Sequence, residues 1–236
     1  VQSLSASPNG RFVAVRVTNQ IILLDTDGWQ QRHAFIIGDE NLFRFFWSPD
    51  GNVLAAHGGR QMVLFDALTG SEQLLVTVDG GNHIRRASWS PDGQTIAAVT
   101  GTGRLTLWDA QTGVQTAVWQ GEGRMGDIVW SPDGQTIMTQ NIRTLSLVEP
   151  STGVMVDEWS LDDVSSVERL AWSPDGAWLA VASGSGKILL LNGENGRVQH
   201  TLSENDHRIT NLSWSSNSQQ LLSIDHRGVL AVWSIR

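Results

Sequence analysis

The feature that most constrains this chain is a five-residue motif, Trp-Ser-Pro-Asp-Gly, that recurs along it. The motif stands intact at residues 47–51, 89–93, 130–134 and 172–176, and altered copies occur at 6–10 and 214–218. The third positions of these six copies are 41 or 42 residues apart. A fixed period of this length is the signature of a repeat architecture. The sequence therefore predicts a single array of six repeats over residues 1–236.

Each repeat contains the pattern of four short strands. In the repeat of residues 84–120, apolar and β-branched residues dominate the segments 84–89, 95–100, 104–108 and 114–119, and Gly-containing turns separate them. Pro91 and Gly93 suit the second and fourth positions of a type I turn. A four-stranded sheet cannot bury both faces alone, and radial stacking of such sheets gives a β-propeller. The predicted fold class is all-β: a propeller of about six four-stranded antiparallel blades.

The composition narrows the classes of function. The chain is 40% hydrophobic and 17% charged, which is ordinary for a globular protein and argues against disorder. A formal charge of −8 disfavours binding to nucleic acid, because phosphate backbones are met by basic surfaces. The absence of cysteine excludes a disulfide framework and a thiolate metal site. No apolar run is long enough for a membrane-spanning helix. No signal peptide is visible, so a cytoplasmic location is favoured over secretion, with the compartment otherwise unassigned.

Two segments at the end of a predicted third strand carry a family resemblance. They read Leu107-Trp108-Asp109-Ala110-Gln111-Thr112-Gly113 and Leu64-Phe65-Asp66-Ala67-Leu68-Thr69-Gly70. With the turn motif and the spacing, they make essentially the whole chain resemble WD-repeat β-propellers with bacterial-type Trp-Ser-Pro-Asp-Gly repeats. Propellers of the TolB type also use this motif and are the alternative family. The resemblance implies a non-catalytic scaffold that holds protein partners, without a cofactor. Both rivals remain open: a propeller that binds or hydrolyses a ligand in its channel, using arginine, Asp127 and His83, and an excised or engineered fragment without activity of its own.

The chain departs from the family in the residues that usually brace its blades. The resemblance would place a buried histidine 11 residues before the turn proline and an aspartate in the second turn, and no repeat has either. We therefore expect packing and backbone ladders to hold the sheets.

The last repeat lacks a predicted fourth strand. Its third strand, residues 229–234, is then an unpaired edge that carries Leu230, Val232 and Trp233, and such edges invite pairing with another chain. Three interpretations are open: a fragment of a seven-bladed or larger propeller, a six-bladed ring with a thin last blade, or an open propeller completed by a partner strand. An incomplete propeller would also self-associate through residues 229–234 and 1–6. The chain begins at Val1 without a methionine, which favours the fragment.

Polar residues gather near one end of the predicted first strands. The position five residues before the turn proline is polar in all six repeats, whereas those seven, four and two residues before it are apolar in nearly every repeat. In a propeller this position would line the mouth of the channel. We hypothesise that arginines there bind a carboxylate-rich peptide or loop; alternatively, they only wet the channel and pair with Glu40, Asp127, Asp162 and Glu168. The candidate partner-binding residues are Arg44, His83, Arg85, Arg86, Arg124, Arg169, His207 and Arg208.

The histidines and two of the tryptophans are further candidates for site residues. The histidines have no close pair at metal-ligand spacing, so no metal site and no catalytic residue is predicted. Trp29 and Trp178 fit the repeat poorly, and Trp178, which follows a turn, is a candidate anchor for a partner.

Overall fold

The computed structural model describes residues 3–36, 44–79, 83–123, 125–162, 164–203 and 207–235. The fold is an all-β, six-bladed propeller, as predicted. Within the described residues there is no helix long and apolar enough to cross a membrane. The chain divides into two compact units, one made of Val1–Ala98 and Thr106–Thr116 and the other of Val99–Leu105 and Ala117–Arg236. These are called unit 1 and unit 2 below.

The strands follow the predicted meander, with four in each of the first five repeats and three in the described part of the sixth. In chain order they are β1 (Ser3–Ala6), β2 (Phe12–Val17), β3 (Gln20–Asp25), β4 (Gln31–Ile36), β5 (Arg44–Trp47), β6 (Val53–Gly58), β7 (Gln61–Asp66), β8 (Glu72–Thr77), β9 (Ile84–Trp89), β10 (Thr95–Thr100), β11 (Arg104–Asp109), β12 (Gln115–Gln120), β13 (Ile128–Trp130), β14 (Ile137–Asn141), β15 (Thr144–Glu149), β16 (Val154–Ser160), β17 (Val167–Trp172), β18 (Trp178–Ser183), β19 (Ile188–Asn192), β20 (Val198–Leu202), β21 (Ile209–Trp214), β22 (Gln220–Asp225) and β23 (Leu230–Ser234).

Consecutive strands form six separate sheets, which we number as blades in chain order. Blade 1 is β1–β4, blade 2 is β5–β8, blade 3 is β9–β12, blade 4 is β13–β16, blade 5 is β17–β20 and blade 6 is β21–β23. Blades 1 to 5 are four-stranded, with the strands in chain order across each sheet. Blade 6 contains only β21, β22 and β23 among the described residues, which confirms the prediction that it lacks a fourth strand. In blades 1, 2, 4 and 5 the register shifts at one place between the third and fourth strands, for example between Leu23 and Leu24. These four blades therefore share the same register shift as well as the same strand order.

The recurring motif forms the turn between the first and second strands. In blade 5 the Gly176 amide donates to the Ser173 carbonyl at 2.9 Å. The Ser173 hydroxyl donates to Asp175 Oδ1 at 2.6 Å and accepts from the Trp178 amide at 2.9 Å. Gly176 has a φ of 73°, the left-handed region in which glycine avoids a steric penalty. The serine and aspartate are thus structural parts of the turn.

The core of each unit lies between neighbouring blades. We call the face of a blade that contacts the preceding blade its front face, and the other its rear face. In blade 1 the rear face contacts blade 2, and the front face is the opposite one, which carries Leu4 and Val15. In unit 1, the rear face of blade 1 packs on the front face of blade 2 through Phe12, Ala14, Ile21, Leu23, Trp47, Leu54 and Ala56. In unit 2, the rear face of blade 5 packs on the front face of blade 6 through Ala180, Ala182, Ile188, Leu190, Leu212, Leu221, Trp214 and Trp233. Burial of these apolar side chains stabilises each junction.

Candidate functional site

Three arginines of unit 1 lie near one end of the first strands. Arg44 is exposed at the start of β5, directly across the sheet from His57 on β6. Arg86 on β9 is half-buried, and its Nη1 donates to the carbonyl of Arg85 at 3.0 Å. Nη1 of Arg85 is buried without a hydrogen-bond partner. We call Arg44, Arg85 and Arg86 the arginine group.

His57 is a buried residue opposite Arg44, one member of this group. Its side chain is 2% exposed, and its Nδ1 has no hydrogen-bond partner. Burial first, and then the charges of Arg44 and Arg86, lower the pKa of His57 to about 3. The imidazole is therefore neutral near pH 7, whereas the guanidinium groups that act on it remain charged.

Two candidate arginines of unit 2, Arg169 and Arg208, are engaged by other groups of the protein. Arg169 donates from Nε to the carbonyl of Thr210 at 2.8 Å and from Nη1 to the carbonyl of Glu168. Arg208 forms an ion pair with Glu168, with 2.7 Å between Nη2 and Oε2. Glu168 is one of the carboxylates named as pairing partners in the alternative interpretation of the sequence. The bond to Thr210 joins β17 to β21, the first strand of the next blade.

Two candidate histidines lie just before first strands. His83 is exposed just before β9, and the ring of His207 packs edge-on against His226 with 5.5 Å between centroids. Arg124 lies outside the described residues. Asp127 is 8% exposed, and its Oδ2 accepts from the amide of Leu170 at 3.2 Å. Among the described residues, no group of three His, Cys, Asp or Glu side chains is arranged to hold a metal ion.

Blade 6 exposes an apolar surface on its third strand. Leu230 and Val232 on β23 are 61% and 64% exposed. The residues equivalent to Val232 in blades 1 to 5 are 0–8% exposed: Leu23, Leu64, Leu107, Leu147 and Leu190. Those equivalent to Leu230 are at most 1% exposed: Ile21, Met62, Leu105, Leu145 and Ile188. The same repeat positions are therefore core in five blades and surface in the sixth.

The predicted edge residue Trp233 lies on the opposite face of β23. It is half-buried against the core between blades 5 and 6, and its Nε1 donates to the hydroxyl of Ser223 at 3.0 Å. Side chains alternate between the two faces of a strand, which separates Trp233 from its neighbours Leu230 and Val232. The exposed rear face of blade 6 therefore consists of Leu230 and Val232, with the half-buried Leu222 and Ile224 beside them.

Trp29 is an exposed residue that occupies a glycine position of the repeat, a feature that was not recognised from the sequence. Its side chain is 65% exposed, whereas Trp178, the predicted anchor, is half-buried beside His200. Trp29 has a φ of 55° and stands four residues after Asp25, where the turns of blades 2 to 5 have Gly70, Gly113, Gly153 and Gly196 with φ values of 65–73°. An alignment of the repeats from this aspartate would have shown the substitution.

A cavity of about 550 Å³ lies among the turns of blades 2 and 3. Its carboxylates are those of Asp50, Asp92 and Asp109. Oδ1 of each one accepts hydrogen bonds within its own turn, for example from the Ser90 hydroxyl to Asp92. For Asp92 this bond, followed by the bond from the amide of Gln94, lowers the pKa of the carboxyl group. These carboxylates thus stabilise turns.

Comparison with known proteins agrees with this architecture. A family model described as the first β-propeller of IFT140 matches residues 148–236, and the model of the WD domain, G-beta repeat, matches residues 72–109. WD repeat-containing protein slr1409 of Synechocystis is 33% identical over 70 residues, which are 30% of this chain and 21% of that protein. Polyadenylation factor subunit 2 of Neurospora crassa is 34% identical over 67 residues, 28% of this chain and 10% of that protein. The chain thus matches about a fifth and a tenth of these relatives.

A solved structure shows the same fold over nearly the whole chain. A chain of the crystal structure of the mitotic checkpoint complex superimposes with a TM-score of 0.86 at 19% sequence identity. The match covers 99% of this chain and 73% of that one.

Proposed function

We propose that this chain, which is a WD-repeat β-propeller, acts as a non-catalytic scaffold for protein–protein interactions, and that its main binding surface is the rear face of blade 6. The observation that carries the proposal is the exposure of Leu230 and Val232, at 61% and 64%, where every equivalent residue is buried. An apolar surface beside an open sheet edge is a favourable site for another polypeptide. A partner would cover these side chains and could add a strand along β23.

The proposal can be tested by affinity capture with matched variants. We expect the double variant Leu230→Lys/Val232→Lys to lose partners that the wild type retains, because two charges would be desolvated at the contact. The control is Val154→Lys/Val156→Lys on β16, which alters two other exposed valines. Co-purified proteins would be quantified by mass spectrometry. Identical partner sets for all three proteins would contradict the proposal.

A second candidate site is the arginine group of unit 1, which would bind an acidic peptide segment. The exposed Arg44 on β5 and the half-buried Arg86 on β9, whose charges both act on His57, favour this site. Arginine suits the role because it keeps its charge and binds carboxylates through two parallel hydrogen bonds. Arg208 of unit 2 supports it less, since its guanidinium already forms an ion pair with Glu168.

Charge reversal separates these two sets of arginines. We expect Arg44→Glu/Arg86→Glu to abolish binding of a fluorescent oligo-glutamate peptide, as followed by anisotropy. Arg208→Glu, a reversal of the same sign at an exposed arginine of unit 2, should change the affinity little. Losses in proportion to the number of reversed charges, two in one variant and one in the other, would show that only the net charge of the protein matters, and no binding by the wild type would exclude an acidic partner at this site.

A further inference from the structure

The junctions between blades follow one rule. At each one, the rear face of a blade packs on the front face of the next blade. Unit 1 has two such junctions, 1–2 and 2–3, and unit 2 also has two, 4–5 and 5–6. Two blade faces are not covered by another blade among the described residues. One is the rear face of blade 6. The other is the front face of blade 1, where Leu4 is 68% exposed while its equivalents Leu170 and Leu212 are 6% and 9% exposed.

Trp29 alters how the front face of blade 1 can be covered. At the equivalent turns, glycine leaves room for a fourth-strand residue of the preceding blade. A Cβ added to Gly113 would lie 2.7 Å from Leu74 Cδ1, and one added to Gly70 or Gly196 would overlap the ring of His33 or Trp159. Trp29 puts an indole in this place. A fourth strand that carries a side chain as large as His33, Leu74 or Trp159 at this place would therefore overlap the indole.

Blade 6 has the complementary feature, because no fourth strand covers β23 among the described residues. In blades 1 and 2 the fourth-strand residues that contact the glycine, His33 and Leu74, pair with Leu23 and Leu64. These two leucines are the equivalents of Val232. At a junction built on the internal pattern, Trp29 would thus occupy the place of the absent fourth strand, beside Val232.

We infer that the rear face of blade 6 binds the front face of blade 1 of a second copy of this chain, with the indole of Trp29 covering Val232. This inference rests on the proposed function of the blade 6 surface and names its partner. The two surfaces are different, so the contact is head-to-tail, and each copy can offer one of each. Burial of Leu4, Trp29, Leu230 and Val232 would supply the driving force.

Complementation of two variants tests the contact. Val232→Lys blocks the blade 6 surface, and Trp29→Gly removes the indole from the blade 1 surface while restoring the glycine of the other turns. In sedimentation velocity, we expect the average mass of the wild type to rise with concentration, and each variant alone to associate at least about tenfold more weakly. An equimolar mixture of the two variants retains one intact junction per pair and should form a one-to-one heterodimer and nothing larger.

The controls separate loss of contact from loss of fold. Both substitutions change exposed side chains, so thermal melting should show folded variants, and Val154→Lys on β16 should leave association unchanged. A wild type that stays monomeric at every concentration, variants that associate like the wild type, or a mixture without heterodimer would each overturn the inference. If the wild type is monomeric but Leu230→Lys/Val232→Lys still loses captured partners, only this inference fails and the proposed function stands.

Discussion

At the scale of single residues, the tryptophans of the repeated motif are not equivalent. Nε1 of Trp47 donates to the carbonyl of Ser5 at 3.2 Å, and Nε1 of Trp214 donates to that of Ala171 at 3.0 Å. Each acceptor is the residue just before the first motif position in the preceding blade. For Trp89 that residue is Phe46, and the buried indole of Trp89 has no hydrogen-bond partner. The bond forms where the acceptor residue is small.

This difference predicts unequal costs for the same substitution. Trp47 and Trp89 are both 8% exposed, so replacement by phenylalanine removes similar packing from each site. Only Trp47→Phe also removes a hydrogen bond, and it leaves the Ser5 carbonyl without this donor. We expect Trp47→Phe to lower the free energy of unfolding by about 1 kcal/mol more than Trp89→Phe. Urea denaturation of both variants measures this difference, and equal costs would contradict it.

His57 gives the stability of the protein a dependence on pH. In the folded protein its pKa is about 3, below the value of about 6.5 expected in the unfolded chain. Between these values the unfolded chain binds the extra proton, so the free energy of unfolding falls as the pH falls below about 6.5. One such group contributes a slope of about 1.4 kcal/mol per pH unit.

Replacement of His57 by glutamine, the residue at the equivalent position of blade 4, should remove this contribution. We expect His57→Gln to lose less stability than the wild type between pH 6.5 and pH 4.5, as measured by urea denaturation at each pH. His200→Gln, at an exposed histidine, is the control and should keep the slope of the wild type. The same slope in all three proteins would show that His57 is not the source.

At the scale of elements, the sequence predicts strands and turns well because both depend on local residues. The motif fixes the first turn through Ser, Asp and Gly, and the predicted strand 84–89 is the observed β9. The fourth strand of that repeat begins at Gln115 rather than Val114, since the Val114 amide instead donates to the hydroxyl of Thr112 in the turn. Local patterns do not reveal which partner an exposed side chain meets. Arg44 and Arg169 occupy the same repeat position. That Arg169 donates to the carbonyl of Thr210 depends on the neighbouring strand β21 and cannot be read from the repeat position.

The glycine that ends the turn between the third and fourth strands has a second role beyond its backbone conformation. Gly113 and Gly176 have φ values of 70° and 73°, but a Cβ on Gly113 would lie 2.7 Å from Leu74 and one on Gly176 would meet nothing within 4 Å. Gly176→Ala should therefore cost about 1 kcal/mol for its backbone alone. Gly113→Ala should cost about 1 kcal/mol more, because Leu74 must move. Thermal denaturation compares them, and equal costs would show that blade packing does not constrain Gly113.

At the scale of the whole molecule, one repeated sequence pattern produces surfaces of opposite character because burial depends on what covers each blade. Leu190 in blade 5 is 1% exposed, whereas its equivalent Val232 in blade 6 is 64% exposed. The repeat pattern alone predicts a core position for both. The interaction surfaces inferred above lie on the blades where residues expected in the core are exposed. The repeat pattern therefore predicts the fold more completely than the binding site.

The same comparison predicts a difference in local stability between blades. β19 lies between β18 and β20, but among the described residues β23 pairs only with β22. We therefore expect the amides of Leu230–Ser234 to exchange with deuterium faster than those of Ile188–Asn192, since fewer contacts must break before they open. Mass spectrometry of the two peptides at low protein concentration measures this difference. At higher concentration, coverage of the rear face of blade 6 by a second copy should slow exchange in β23 and leave β19 unchanged; protection of β23 equal to that of β19 at every concentration would contradict the open edge.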